Sequence, residues 1–268
     1  MIRWPRPTPR MILLAAWVAV LVYAFPGYMN FDVGEQLYQI RTGQVTDFHP
    51  PMMGGYWRIF EVFVSGPFPM LMLQTSLYIW GLYTLLSMRV AKPTAAWITA
   101  AFVVFPPLLT PMGMIWKDAQ MSAFLMAGTA LVLKRCRWAR VLGMVLFIAA
   151  AGVRFNAPAA LPFLTIAAAW GWTSRGRLVA LGLAVALTLA SILLAGAINK
   201  VLTDEPAYNW YRTTAIFDIV GTSCFAPPIS DAEMLKLLDG IELVQKTNIQ
   251  QEFCARYAPG ERVNPPPW

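Results

Sequence analysis

The side chains best suited to acid–base or phosphate chemistry fall in three short stretches set between long apolar runs. Residues 30–51 read NFDVGEQLYQIRTGQVTDFHPP and hold Asp32, Glu35, Gln36, Arg41, Asp47 and His49, the sole histidine of the chain. Trp116-Lys117-Asp118 forms the second stretch and Arg154-Phe155-Asn156 the third. If residues 30–51 begin in a helix, Asp32 and Glu35 share a face. A carboxylate set against an apolar surface is a usable general base toward a hydroxyl; an acid that caps a helix or loop is the plainer account of the same residue. Asp118 is a further candidate for acid–base work. Lys117 and Arg154 suit a phosphate or pyrophosphate, and each also suits the ordinary role of anchoring the end of an apolar helix. Asn156, Arg41 and Gln36 are candidates to bind the same ligand. His49 with Asp47 can offer a divalent cation two donors, which falls short of a metal site; a histidine fixing the turn before Pro50-Pro51 explains it more simply. No P-loop, GxGxxG, HExxH or nucleophile-elbow pattern is present, so cytoplasmic nucleotide chemistry drops from the leading readings.

The elements that must position these residues are apolar. Of the 268 residues, 57% are hydrophobic and only 13% charged, against about 25% charged in an ordinary soluble domain, and the mean hydropathy is +0.52. A membrane-crossing helix needs about 20 mostly apolar residues. Seven runs approach that length, at 11–26, 67–88, 94–112, 119–133, 139–153, 157–173 and 178–198. The fold class expected is therefore an all-α polytopic membrane protein of about seven transmembrane helices. The first run lacks a small-residue cleavage pattern and reads as a retained anchor.

Charge assigns the two sides. Arg3, Arg6, Arg10, Arg89, Lys92, Lys134, Arg135, Arg137, Arg140, Arg175 and Arg177 all fall on one side, with no acidic residue among them. All 14 Asp and Glu fall on the other. Short basic loops stay in the cytoplasm, so the N-terminus is expected there, and the three chemistry-bearing stretches face outward. The net charge of +7 is explained by this bias and does not call for nucleic acid. The expected location is a bacterial-type inner (plasma) membrane, crossed many times.

The first outer loop spans 27–66. Within it, residues 56–65 carry Arg58, Glu61 and Ser65 at helical spacing among aromatic and apolar residues, which suits a helix lying flat at the interface or an extension of the second span. Gly66-Pro67 argues for a break. Phe105-Pro106-Pro107 interrupts the third span near its outer end. Spans six and seven, rich in Ala, Leu and Gly, read as packing elements with small residues at their contacts. From residue 200 the composition changes to a small extracytoplasmic tail (200–268) with a helix expected near 230–247, opened by a Ser230-to-Glu233 capping box. Cys224 and Cys254 lie on the oxidising side of this topology as a disulfide or as two free thiols, and Cys136 is expected to be cytoplasmic and reduced.

In the order of these features the chain resembles the GT-C class of membrane glycosyltransferases, which draw a sugar from a polyprenyl-phosphate carrier, and within it the protein O-mannosyltransferase and aminoarabinose transferase group. The resemblance rests on a cytoplasmic N-terminus, one span, and then an outer loop with Phe31-Asp32-x-x-Glu35-Gln36, Thr42-Gly43 and Asp47-x-His49-Pro50-Pro51. The interfacial helix, Trp116-Lys117-Asp118 and Arg154-x-Asn156 follow. It covers residues 1–199. It implies Asp32 as general base, Glu35 or Asp118 in a second acidic role, Lys117 and Arg154 on the carrier phosphate, and an optional divalent metal ion. The partners implied are a polyprenyl-phosphate sugar and membrane lipid. Members of the class continue with further spans, so a truncated member, a subunit needing a partner and a minimal enzyme all remain open. A transporter or lipid-carrier flippase is the competing class, with a structural subunit third. Transport favours ionisable groups or broken helices at mid-membrane, whereas the charges here cluster at the ends of the runs.

Overall fold

The computed structural model describes residues 7–173, 175–204, 224, 227–237 and 248–256. It is all-helical: among the described residues there is no strand, and the isolated backbone bridge is Tyr28 with Met114. The chain divides into two units, residues 1–206 and 207–268.

Each of the seven apolar runs is helical. They form α1 (Pro9–Ala24), α4 (Phe68–Ser87), α5 and α6 (Lys92–Val104 and Pro106–Gly113), α7 (Lys117–Val132), α8 (Arg137–Val153), α9 (Leu161–Trp172) and α10 (Arg177–Leu202). The outer loop between the first two runs adds α2 (Phe31–Thr42) and α3 (Met52–Glu61). Of the described helices, α10 alone is long and apolar enough by itself to cross a membrane; α5 and α6 meet that measure only together.

The run at 94–112 is interrupted at Phe105-Pro106-Pro107, as expected, and its two helices are bent by 71°. Proline lacks the backbone donor a helix interior needs and holds the preceding residue extended, and Phe105 is extended at φ −68°, ψ 124°. Pro106 and Pro107 then sit in the first turn of α6, where a missing N–H costs nothing. The helix expected at 56–65 begins earlier, at Met52, and stops at Glu61. Arg41 draws the Glu61 carboxylate, as do Ser65 and the Gly66 amide, and Gly66, at φ +98°, turns the chain into α4. The break at Gly66-Pro67 is therefore present, and α3 is not an extension of α4.

The packed face of α10 is made of small residues and its outer face of large ones. On α10 the buried positions are Ala180, Ala184, Thr188, Ser191 and Ala195, whereas Leu178, Leu181, Val185, Leu189 and Leu193 are exposed. On α8, Trp138, Val141, Leu142 and Val145 face outward. The α9–α10 contact carries a Thr165–Thr188 hydroxyl pair at 2.8 Å, in keeping with the small-residue contacts expected there. Where α7 crosses α8, a Cβ on Gly143 would stand 2.8 Å from the Gly128 carbonyl oxygen. Only glycine lets the backbones meet this closely.

In the second unit, the capping box is present: Ser230 Oγ accepts from the Glu233 amide at 3.3 Å, and the Glu233 carboxylate accepts from the Ser230 amide at 3.1 Å. The helix it opens is described over Asp231–Leu237, and the rest of the stretch to 247 lies outside the described residues. Asp231 accepts from the Asn248 and Ile249 amides at the head of the helix Ile249–Arg256. Cys224 and Cys254 are joined in a disulfide.

Candidate active site

The site is built where the chain leaves α1 and where it enters α7. Gly27, at φ +119°, turns the chain after α1. Tyr28 then pairs with the α6–α7 connection: its amide donates to the Gly113 carbonyl at 3.1 Å, and its carbonyl accepts from the Ile115 amide at 2.8 Å. This bridge holds residues 28–32 beside residues 113–118. Asn30 caps α2, its side chain accepting from the Val33 amide at 3.1 Å. Asp32 therefore falls in the first helical turn, where the helix dipole favours a carboxylate. Val33, Leu37 and Ile40 bury the adjoining side of α2 against Met52, Met53 and Trp57 of α3.

A buried amide network fixes the second stretch. Gln74, inside α4, donates to the Met112 and Met114 carbonyls at 2.7 and 2.9 Å. Gln120 donates to Gln74 Oε1 at 2.7 Å and accepts from the Tyr56 hydroxyl at 3.2 Å. Both amides are fully buried, so they set the path of residues 112–116 and the start of α7 firmly.

Lys117, the first residue of α7, is 1% exposed, and its Nζ has no hydrogen-bond partner. Burial pushes its ammonium down to about 8 from the usual 10.5; Asp32 opposes this, Arg154 reinforces it and Asp118 opposes it again. Asp118 Oδ1 lies 3.1 Å from Arg154 Nε. His49 Nε2 stands 3.8 Å from Asp32 Oδ2, beyond hydrogen-bond reach. Burial, then Lys117, lower its imidazole to about 4, with Asp32 opposing and Arg154 reinforcing, so His49 is neutral at pH 7. Asp32, His49, Lys117, Asp118 and Arg154 thus face one another from three separate connections.

The other candidates fare differently. Glu35 is exposed, and its carboxylate accepts from Gln39 at 3.2 Å; it is not among the charges acting on Lys117 or His49. Arg41 pairs with Glu61 at 2.8 Å and bonds Ser65, which makes it a brace between α2 and α3. Against the upward push of burial, hydrogen bonds from Arg41 and Gly66, the Arg41 charge and a Ser65 bond hold the Glu61 carboxyl below its usual range. Asn156 is exposed, and its side chain makes no capping bond to the short turn Ala157–Ala159. Gln36 is buried, and its Oε1 lacks a partner. Asp47 is half-buried two residues before His49. Among the described residues no group of three or more His, Cys, Asp or Glu could hold a metal ion. A two-donor set with the Lys117 cation acting on His49 does not fit a resident divalent ion.

Gln74, Gln120 and Tyr56 carry no prediction from the sequence, although they place Lys117. The available signal was an amide inside an apolar run, which is costly unless it is bonded. Asn199 works alike: it accepts from the Met52 amide at 2.9 Å and donates to the Gly152 carbonyl at 3.0 Å, tying α10 to the loop before α3 and to the end of α8. Comparison with known protein families, with curated proteins and with solved structures finds no match.

Proposed function

We propose that the chain is a membrane glycosyltransferase of the GT-C kind, with seven membrane-crossing segments, moving a sugar from a polyprenyl-phosphate carrier to an extracytoplasmic acceptor. The observation that carries this reading is the gathering of Asp32, Lys117, Asp118 and Arg154, remote in sequence, around a buried and unpartnered Lys117 ammonium. A buried cation without a partner is costly, and an anionic ligand removes that cost. A phosphate monoester or diester supplies the matching charge.

The membrane assignment draws support from the large apolar side chains that face outward along α1, α8 and α10. Lipid solvates such a surface, and water does not. The basic residues gather around the α4–α5, α7–α8 and α9–α10 connections, the pattern that the positive-inside bias gives cytoplasmic loops. In this reading the candidate site is extracytoplasmic. The Cys224–Cys254 disulfide is of a kind that an oxidising compartment preserves.

In the proposed reaction Asp32 takes the proton from the acceptor hydroxyl while its oxygen attacks the anomeric carbon. The bond from that carbon to the phosphate oxygen breaks, and the electron pair leaves with the carrier phosphate. Lys117 holds the phosphate as its charge grows, and Arg154, itself steadied by Asp118, adds a second cation. The neutral His49 stands beside Asp32 as a wall and does not compete for its charge. Transport remains a second reading, favoured by the bend between α5 and α6. Purified protein with a labelled polyprenyl-phosphate sugar separates the two, because the enzyme alone releases carrier phosphate in an acceptor-dependent manner. Asp32→Asn is expected to lower that rate about 10²–10⁴-fold, the usual worth of a general base. A folded Asp32→Asn protein with full transfer would remove Asp32 from its role.

A further inference from the structure

Along one face of α2, Asp32, Gln36 and Ile40 follow at four-residue steps. Gln36 is 4% exposed, and its Oε1 is a buried acceptor with nothing to accept. It forms part of the wall of a narrow cleft, whose other polar walls are Gln39, Thr46 and His49 and whose apolar walls include Ile40 and Val45. The innermost room fits one water-sized group. Gln39 is already committed, donating to Glu35 and Thr46 and accepting from the Thr46 amide. Gln36 Oε1, a buried atom of one wall of the cleft, is thus the acceptor left unmet here. His49 belongs to this wall and also stands 3.8 Å from the Asp32 carboxylate, so the cleft adjoins the proposed base.

The chemistry of a fitting group follows from these walls. A buried carbonyl oxygen left unbonded costs about 1–3 kcal/mol, so the group must donate a hydrogen bond. A phosphate or an ionised carboxylate brings only lone pairs to Gln36 Oε1. An ammonium would donate too, but Lys117 and Arg154 already act as cations on the His49 wall, against the single carboxylate of Asp32. A neutral hydroxyl meets every requirement.

We propose that this cleft is a hydroxyl subsite, in which Gln36 Oε1 accepts from one hydroxyl of an uncharged sugar held beside Asp32. The site is then divided by charge, with the carrier phosphate at Lys117 and neutral sugar at Gln36. This deepens the proposed transfer and rests on it for the enzymic readout, whereas the binding readout stands alone.

The binding test titrates the purified full chain in detergent micelles with methyl glucoside and with methyl glucuronide, whose free carboxylate is ionised at neutral pH. The unsubstituted chain is expected to bind the neutral glycoside at least about tenfold more tightly, and Gln36→Met to weaken that binding about tenfold, the loss of one buried hydrogen bond. Gln36→Glu at a pH where the new carboxylate is ionised keeps an acceptor oxygen and retains the binding. Equal affinity for the two glycosides overturns the proposal, as does unchanged binding in Gln36→Met, a resident water alone then filling the cleft. The comparison of glycosides needs no variant and decides the matter even if Gln36→Met does not fold. In the transfer assay, a raised KM for the carrier-linked sugar assigns the hydroxyl to the donor, and a raised KM for the acceptor assigns it to the acceptor. No rise in either KM overturns the proposal. Selective glycoside binding without any transfer would leave the subsite standing and remove the transferase reading.

Discussion

Lys117 offers a prediction whose size can be worked from the structure. Its ammonium is buried without a hydrogen bond, and its proton is released at about 8 in place of 10.5. At about 1.4 kcal/mol per pH unit, that difference is worth about 3 kcal/mol. The sign follows from linkage: between about pH 8 and pH 10.5 the unfolded chain keeps a proton that the folded chain has lost, so stability rises with pH across this window. Below pH 8 the folded protein bears the full cost of the buried charge. Replacing Lys117 by Met keeps an unbranched side chain and removes the charge. The assay compares unfolding free energies of wild type and Lys117→Met in matched mixed micelles across that window. The difference between the two cancels every other group that titrates in the same range. Wild type is expected to gain up to about 3 kcal/mol relative to the variant, most of it between pH 8 and 10.5. Inorganic phosphate should stabilise wild type at neutral pH and leave Lys117→Met unmoved, since a ligand stabilises only the state that binds it. A pH-independent difference between the proteins, or equal stabilisation by phosphate, would refute the buried, ligand-seeking lysine.

Three further outcomes are expected. Gln74→Leu strands the Met112 and Met114 carbonyls and removes one acceptor from the Gln120 amide, and should cost about 3 kcal/mol; Gln74→Leu with Gln120→Leu should cost less than the sum of the two single variants, and strict additivity would count against the network. Gly54→Ala places a Cβ 2.7 Å from Ile40 Cγ2, so thermal melting should show a loss of about 1–3 kcal/mol from overpacking. Cys136 is exposed at the head of α8, and a membrane-impermeant maleimide should reach it in inverted vesicles and not in intact cells; the reverse pattern would turn the proposed orientation over.

Much of the scaffold was legible because apolar runs, prolines and charges act locally. Pro106 and Pro107 marked the α5–α6 break, Gly66-Pro67 marked the start of α4, and Ser230 with Glu233 marked a helix start, each through the backbone chemistry of its own residues. Asn30 capped α2 in the same local way, and the capped turn carries Asp32. What was hidden is set by partners distant in the chain. Arg41 read as a ligand group because Glu61, 20 residues away, could not be paired with it from spacing alone. Arg154 and Asp118 read as separate candidates, although they form one ion pair. In residues 94–112 the prolines marked the break, but the 71° between α5 and α6 stayed hidden because composition carries no bend angle. Gln74 and Gln120 stayed silent because an amide in an apolar run announces a buried bond without naming its acceptor.

The five gathered side chains also explain why a single cation in the site is left unpaired. Asp118 is held by Arg154, so the nearest carboxylate in sequence to Lys117 is already engaged. Asp32 acts on both Lys117 and His49 through space, but Asn30 and the Tyr28 bridge fix its backbone, not its carboxylate. A direct Asp32–Lys117 salt bridge would satisfy the free protein better and would also consume both groups. Holding them apart keeps a carboxylate on one side and an unmet positive charge on the other. That arrangement costs folding stability, and the proposed substrate, an anion next to a hydroxyl-reactive carbon, would make use of both. If Asp32→Asn lowered the Lys117 titration point further while phosphate still bound, the two groups would be coupled electrostatically yet serve the ligand separately, as the division of the site requires.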